Sequence, residues 1–144
     1  MSENQGSQIH FTVYPEICIF NLVKVIQIYK CLCDEMRLRI LNLLQEGPLC
    51  VCHLDCDQVK MSKQLRYLKE QEILEGERQA QWMVYRLADP RHPLLAENLK
   101  CLQDCAGEEL CFGEDLRRRA VVIERLRDEP SGCSQTLLAE QTTQ

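Results

Sequence analysis

The 144-residue sequence predicts a mainly helical domain with one β-hairpin inserted after its third helix. Two observations predict this class. Apolar residues recur at intervals of three and four over most of the chain, whereas residues 73–87 are rich in strand-favouring side chains. Helix, helix, cysteine-rich segment, helix and hairpin follow one another in that order, which is the order of a winged helix-turn-helix.

Composition and charge exclude several classes of protein. Apolar residues make up 45% of the chain and charged residues 27%, values typical of a globular domain. No run approaches the roughly 18 apolar residues of a membrane span, and no basic signal-peptide start is visible, so we expect a cytoplasmic protein without a membrane partner. The net charge of −5 argues against a non-specific polyanion binder, but permits a nucleic-acid reader whose basic residues share one face.

Helical periodicity predicts two helices in the first third of the chain. The first covers about residues 17–30, after a flexible arm over residues 1–16. One apolar stripe runs along it, formed by Ile19, Leu22, Ile26 and Tyr29. The second helix begins after Asp34, which is a good N-cap, and ends at the Gly47-Pro48 pair.

The middle of the chain changes period. A third helix is predicted from about Val59 to Gln71. Its apolar face consists of Met61, Leu65 and Leu68. Two strands, Ile73–Glu77 and Trp82–Leu87, then flank a polar turn over residues 78–81.

Two further helices are predicted in the last third, over Leu94–Gln103 and Asp115–Arg127. The acidic run between them, residues 104–115, is expected to be a solvated loop. The folded domain then covers residues 17–127, and a flexible tail covers residues 128–144. The apolar faces of the first helix and of the Leu94–Gln103 helix have no evident partner in so short a chain, so we expect them to form a homodimer interface.

The third helix is basic in an acidic chain. Within residues 58–69 every charged side chain is basic, namely Lys60, Lys63, Arg66 and Lys69. With its apolar face turned inward, the outward candidates are Lys60, Lys63, Arg66 and Tyr67, flanked by Ser62 and Gln64. Such side chains neutralise phosphates and bind base edges, which predicts a helix that reads double-stranded DNA. Arg78, at the predicted hairpin tip, is expected to reach a neighbouring phosphate. The alternative is a solvated surface helix.

Ten cysteines form a second unusual feature, and Cys50, Cys52 and Cys56 place three thiols within seven residues. Trivalent arsenic and antimony are soft centres that favour three thiolates, whereas zinc usually takes four ligands. On a helix, residues i and i+2 point about 200° apart, so Cys50 and Cys52 converge only in a non-helical or unwound segment. Ligation by all three thiols would distort the segment just before the basic helix.

Four stretches together resemble the ArsR/SmtB family of metal-responsive repressors, and most closely its arsenic-responsive members. They are Leu38–Leu44, the run Leu49–Leu54, Met61–Leu65 and Trp82–Leu87. The resemblance covers about residues 17–105. It implies a dimeric winged-helix repressor that leaves operator DNA when an inducer binds, with Cys50 and Cys52 as ligands.

The chain departs from the family pattern beside its thiols. Ser62 follows Cys52 by ten positions, about one helical turn fewer than the family usually has. Cys56 follows Cys52 at four positions rather than three, and serves as the candidate third ligand. We therefore expect a short helix or a tight loop before the basic helix.

The other thiols leave alternatives open. Cys101 and Cys105, four residues apart, are an alternative or additional ligand pair, while Cys31 and Cys33 are predicted to be packing residues. The inducer is expected to be arsenic(III) or antimony(III). A sensor of zinc, cadmium, mercury or oxidants on the same fold is the alternative. No Cys-x-x-Cys beside a βαβ pattern and no glycine-rich phosphate loop occurs, so we expect neither an enzyme nor an organic cofactor.

Overall fold

The computed structural model describes residues 16–50, 57–79, 81–106 and 110–128. Within these ranges the chain forms, in order, α1 (Glu16–Leu32), α2 (Glu35–Gln45), β1 (Leu49–Cys50), α3 (Gln58–Glu70), β2 (Leu74–Gln79), β3 (Trp82–Leu87), α4 (Pro93–Ala106) and α5 (Leu110–Asp128). The strands form one antiparallel sheet in the order β1-β3-β2. The predicted mainly helical fold with a β-hairpin wing is confirmed.

Local signals set the ends of α2 and α3. The Asp34 carboxylate accepts a hydrogen bond from the Arg37 backbone N–H at 3.0 Å, which satisfies a donor at the start of α2. Asp57 caps α3 in the same way, accepting from the N–H groups of Val59 and Lys60 at 3.1 and 3.2 Å. After α2, Gly47 adopts a φ of 128°, which favours glycine. The predicted boundaries of both helices are confirmed to within a residue or two.

The hairpin is tighter than the sequence predicts. β2 and β3 pair from Leu74 opposite Leu87 to Gln79 opposite Trp82, so residues 78 and 79 belong to a strand rather than to the turn. Polar side chains made residues 78–81 resemble a turn, but an exposed wing strand tolerates polar residues on its solvent side. A two-residue connection also fits the twist of paired strands better than a longer one.

The acidic run is helical at both ends, so the expectation of a solvated loop over residues 104–115 is wrong for its described part. Asp104 lies on α4, and Glu114 and Asp115 lie on α5. Asp115 accepts two hydrogen bonds from the Arg39 guanidinium on α2, both 2.7 Å long. Bidentate pairs of this kind are the stronger class of ion pair. The acidic side chain therefore anchors α5 against α2.

The core lies between the helices and one face of the sheet. It includes Ile28 from α1, Leu41 from α2, Leu68 from α3 and Leu99 from α4. The expectation that the apolar face of α4 is free for a dimer partner is wrong, because Leu95 and Leu99 are each only 2% exposed within the protomer. The face of α4 already has its partner.

The apolar stripe of α1 behaves differently. Leu22, Ile26 and Tyr29 are 58%, 44% and 48% exposed, while Ile28 and Cys31 turn into the core. Large apolar side chains grouped on one exposed face indicate an interaction surface. Within the described ranges, no helix combines the length and the apolar character needed to cross a membrane.

Candidate nucleic-acid interface and thiol sites

Burial of one face of α3 determines which residues face outward. Met61, Leu65 and Leu68 are buried, as their spacing predicts. Their burial against α2 and the sheet fixes the rotation of α3 about its axis. The opposite side of the helix is therefore presented to solvent in one defined orientation.

The outward stripe of α3 consists of Val59, Ser62, Lys63 and Arg66, all exposed and spaced at i, i+3, i+4 and i+7. Lys60 lies beside it, with its Nζ 3.7 Å from the Asp57 carboxylate. Arg66 has its Nε 3.9 Å from the Glu70 carboxylate. Exposed pairs at these distances stabilise little and exchange readily for another anion. The basic side chains of this stripe can therefore contact phosphate.

Val59 is a member of this stripe that sequence reasoning missed. Its side chain is 67% exposed although it is apolar. An exposed aliphatic group between basic residues is suited to contact the methyl group of thymine in a major groove. The helical spacing to Ser62, Lys63 and Arg66 could have identified it from the sequence.

Tyr67 is half-buried rather than on the outward stripe, and Gln64 flanks the stripe as predicted, so contact of either side chain with DNA stays a prediction. The Gln64 side-chain oxygen accepts a hydrogen bond from Arg37 Nη1 at 3.0 Å. The Tyr67 ring packs against the core, and the Arg37 guanidinium carbon lies 4.8 Å from its centroid. Both side chains face α2, where they hold α3 in place.

Arg37 is the residue that makes this attachment. Its Nε donates to the Cys31 carbonyl at 3.0 Å, and its Nη2 donates to the Lys30 carbonyl at 2.9 Å. These carbonyls belong to the last turn of α1, where helical acceptors lack partners within the helix. One side chain thus joins the end of α1, its own helix α2 and the basic helix α3. No periodicity or motif in the sequence distinguishes Arg37 from an ordinary surface arginine.

The hairpin places Arg78 on β2, opposite Met83, rather than in a turn. Its side chain is exposed near the end of the wing. Position on the wing is compatible with the predicted phosphate contact, although the local structure is a strand. The contact itself stays a prediction.

Cys50 occupies β1 and is buried at 2% exposure. It is opposite Val84 of β3 and packs against Val84 and Trp82. Tyr85 lies next to Val84 on β3. Burial raises the pKa of its phenol, and the nearby Cys50 thiol adds to that rise. Because Cys50 pairs with Val84 in a strand, the cysteine-rich segment is non-helical at this position. The other two predicted ligands, Cys52 and Cys56, and the expected short helix or loop around them lie outside the described residues.

The remaining described thiols fall into two environments. Cys31 is fully buried, and desolvation raises the pKa of its thiol, so its prediction as a packing residue is confirmed. Cys33 is exposed, and its prediction as a packing residue is wrong because α1 ends at Leu32 and the chain bends outward there. Cys101 and Cys105 are both exposed on α4, and Cys111 is exposed on α5. In the ranges that the structure describes, no three His, Cys, Asp or Glu side chains come together to hold a metal ion.

Comparison with known proteins gives one family. Residues 34–75 match the family described as bacterial regulatory protein, arsR family. An arsenical resistance operon repressor of Escherichia coli strain K12 is 43% identical over 79 residues, which are 51% of this chain and 67% of the relative. A repressor of the same description from Bacillus subtilis strain 168 is 35% identical over 96 residues, which are 62% of this chain and 91% of the relative.

A solved structure gives the same fold. The homodimeric winged helix-turn-helix DNA-binding domain Mb0332 of Mycobacterium bovis, a possible ArsR-family transcriptional regulator, matches with a TM-score of 0.53. The two sequences are 25% identical, and the match covers 69% of this chain and 94% of the Mycobacterium domain. The chain thus shares its fold with a solved winged helix-turn-helix DNA-binding domain.

Proposed function

Because the chain belongs to the arsR family of bacterial regulatory proteins, and is therefore a DNA-binding transcription regulator and not an enzyme, we propose the following mechanism. A homodimer binds operator DNA and leaves it when trivalent arsenic or antimony binds cysteine thiolates. The observation that carries the proposal is the outward stripe of α3, which is basic on a helix whose inner face is buried. A transcription regulator acts where the chromosome lies, so we place it in the cytoplasm.

DNA binding on this account uses two elements. α3 enters the major groove, where Lys63 and Arg66 contact phosphates or base edges. The wing carries Arg78 to a phosphate beside the groove. Residues on α2, above all Arg37, hold α3 in the orientation that the groove requires.

Dimerisation on this account uses α1. Its exposed side chains Leu22, Ile26 and Tyr29 form the apolar stripe that a second copy covers. One recognition helix reads only a half-site, and a two-fold dimer doubles the contact and sets the half-site spacing. Sedimentation at micromolar concentration should give twice the protomer mass of 16.8 kDa.

In the proposed mechanism, the position of Cys50 couples binding of the inducer to release from DNA. Arsenous acid bound by three thiols forms three As–S bonds and releases three water molecules, and the pyramidal centre needs the sulfurs on one side of it. Cys50 is buried between Val84 and Trp82, so its sulfur reaches such a centre only if β1 shifts against β3. That shift would move the strand that forms the wing and the chain leading to α3.

The arsenic relatives support the choice of inducer, and X-ray absorption at the arsenic edge tests the ligand set. Wild-type protein loaded with arsenite should show three sulfur neighbours. Cys50→Ser and Cys52→Ser should each show fewer, whereas Cys33→Ser, at an exposed thiol after α1, should still show three. Three sulfurs in the Cys50→Ser variant would contradict the proposed ligands.

The C-terminal thiols favour a second candidate site. Cys101 and Cys105 are exposed at i and i+4 on α4, a spacing at which two side chains share one helix face. A soft divalent metal or an oxidant could reach them without any movement of the core. Loss of the arsenite response in Cys101→Ser or Cys105→Ser, with a normal response in Cys50→Ser, would move the inducer site to α4.

A further inference from the structure

A cavity of about 590 Å³ lies between α2 and α5. Ile40 and Leu43 of α2 form one apolar wall, and Leu49 of β1 and Met61 of α3 close the cavity toward the core. Its volume is within the range of small-molecule sites in proteins. The cavity is separate from the outward stripe of α3, since Met61 reaches it from the buried face of that helix.

Five arginines line the cavity, one from α2 and four from α5, and three of them are paired with carboxylates. Arg39 from α2 binds Asp115 through two hydrogen bonds of 2.7 Å. Arg117 and Arg118 both lie within ion-pair distance of Glu114, at 2.8 and 3.1 Å. The carboxylates at the cavity are thus neutralised by these three guanidinium groups.

Arg119 is different, because its charge is half-buried and only partly satisfied. Its Nη2 donates to the Glu46 carbonyl at 3.1 Å, but its buried Nε has no hydrogen-bond partner among the described residues. Burial lowers the pKa of the guanidinium from its ordinary value. A buried donor without a hydrogen-bond partner destabilises the fold, and more so when it belongs to a cation.

Arg125 adds a second cation on the same wall. Its side chain is exposed, has no hydrogen bond or ion pair within the described part of the chain, and lines the cavity one to two turns beyond Arg119. The five arginines that line the cavity outnumber its two carboxylates, and this excess of positive charge above an apolar floor selects the chemistry of an occupant. A metal ion would be repelled, and a neutral apolar molecule would leave the Arg119 donor unsatisfied.

We propose that this cavity binds a small organic carboxylate with an apolar body, its carboxylate held by Arg119 and Arg125. Guanidinium groups present parallel N–H donors that match the two oxygens of a carboxylate. The apolar body then lies against Ile40, Leu43 and Met61. The site is independent of the thiols and of the proposed function, because it concerns ligand binding with no DNA present.

Calorimetric titration with decanoate tests the site, and decanol serves as a neutral probe of the same length. Wild-type protein should bind decanoate at one site per protomer, and decanol about tenfold more weakly because it cannot pair with the guanidinium groups. Equal affinity for the two probes, or no binding of decanoate, would overturn the proposal.

Variants identify the cations. Arg119→Met and Arg125→Met keep apolar bulk and remove charge, and each should weaken decanoate binding about threefold while decanol binding stays the same. Arg127→Met is the matched control, since Arg127 lies on the same helix, is exposed and pairs with Glu124. Melting curves of each variant show that it is folded. Unchanged decanoate affinity in both cavity variants, or an equal loss in Arg127→Met, would overturn the assignment.

Discussion

The buried inner side and the exposed outer side of α3 make different kinds of contact. On the inner side, Leu68 is fully buried, and Gln64 and Tyr67 are tied to α2 through Arg37. On the outer side, Lys63 and Arg66 are exposed and make at most a loose ion pair with Glu70. The inner side determines where the helix lies, and the outer side determines what it can bind. Changes to stability and to DNA affinity should therefore separate along this helix.

The largest expected effect is on the inner side. Leu68→Ala should lower the free energy of unfolding by about 2–5 kcal/mol, because it leaves a cavity among core side chains. Chemical denaturation monitored by circular dichroism measures this loss. A loss below about 1 kcal/mol would mean that the inner face of α3 does not hold the helix in place.

The next largest effect should come from Arg37, whose contacts with the inner side of α3 also orient its outer side. Arg37→Met removes the bonds from Arg37 to Gln64 and to the carbonyls of Lys30 and Cys31. We expect a loss of about 1–3 kcal/mol in stability and a weaker operator complex, although Arg37 is not on the outward stripe. Arg39→Met is the matched control on the same helix, since it loses its bonds to Asp115 and none to α3. If Arg39→Met weakens the operator complex as much as Arg37→Met does, the loss reflects general stability and not the orientation of α3.

On the outer side, the effects should appear in DNA binding alone. Lys63→Ala and Arg66→Ala should leave the melting temperature unchanged. Loss of a phosphate contact should lower the salt dependence of binding by about one unit, whereas loss of a base contact should relax specificity at a cost of about 1–3 kcal/mol. Fluorescence anisotropy of labelled operator at several salt concentrations distinguishes the two. Unchanged affinity in both variants would mean that α3 does not enter the DNA.

The smallest effect lies just past the end of α3. Glu72 has a φ of 59°, and the Ile73 N–H bonds to the Leu68 carbonyl at 3.0 Å to close the last turn. Glycine adopts this conformation without strain, so Glu72→Gly should raise the melting temperature by no more than about 4 °C. In the wild type, Lys24 donates a hydrogen bond to the Glu72 carboxylate and lowers its pKa. The glycine variant loses this ion pair, which reduces the gain. A lower melting temperature would show that the Lys24 contact matters more than the backbone strain.

The stability contribution of Glu72 depends on pH with a definite sign. Its folded-state pKa is depressed, so the contribution is present above the unfolded pKa and is lost as the pH falls through the folded value. The difference in melting temperature between wild type and Glu72→Gly should therefore shift in favour of the glycine variant in acid.

Periodicity was sufficient to predict the inner side of α3, because Met61, Leu65 and Leu68 recur at helical spacing and are buried. It could not show that Tyr67 and Gln64 face α2, since that depends on Arg37, which is distant in sequence. Spacing describes one helix at a time, whereas these contacts arise between helices.

The same limit explains the errors elsewhere. The apolar faces of α4 and α1 have the same pattern in the sequence. Leu99 on α4 is nevertheless buried in the core of its own protomer, whereas Leu22 on α1 is exposed. The last helix was predicted to begin at Asp115, whereas α5 begins at Leu110, and the bond from Arg39 to Asp115 across the fold is a contact that spacing along one helix does not reveal. Composition and the family resemblance were sufficient to identify the cysteines as candidate ligands. They could not predict the strand at Cys50, because it forms by pairing with Val84, which is distant in sequence.

Release of operator DNA by arsenite is the sharpest test of the proposed mechanism. Labelled operator bound to wild-type protein should lose its anisotropy as arsenite is added. Cys50→Ser should bind the operator as well as wild type does and should stay bound at arsenite concentrations that release wild type, because a ligand shifts a conformational equilibrium only by its differential affinity for the two states. Cys33→Ser should release as wild type does. Failure of arsenite to release the wild-type protein, or release of Cys50→Ser at the wild-type concentration, would contradict the account.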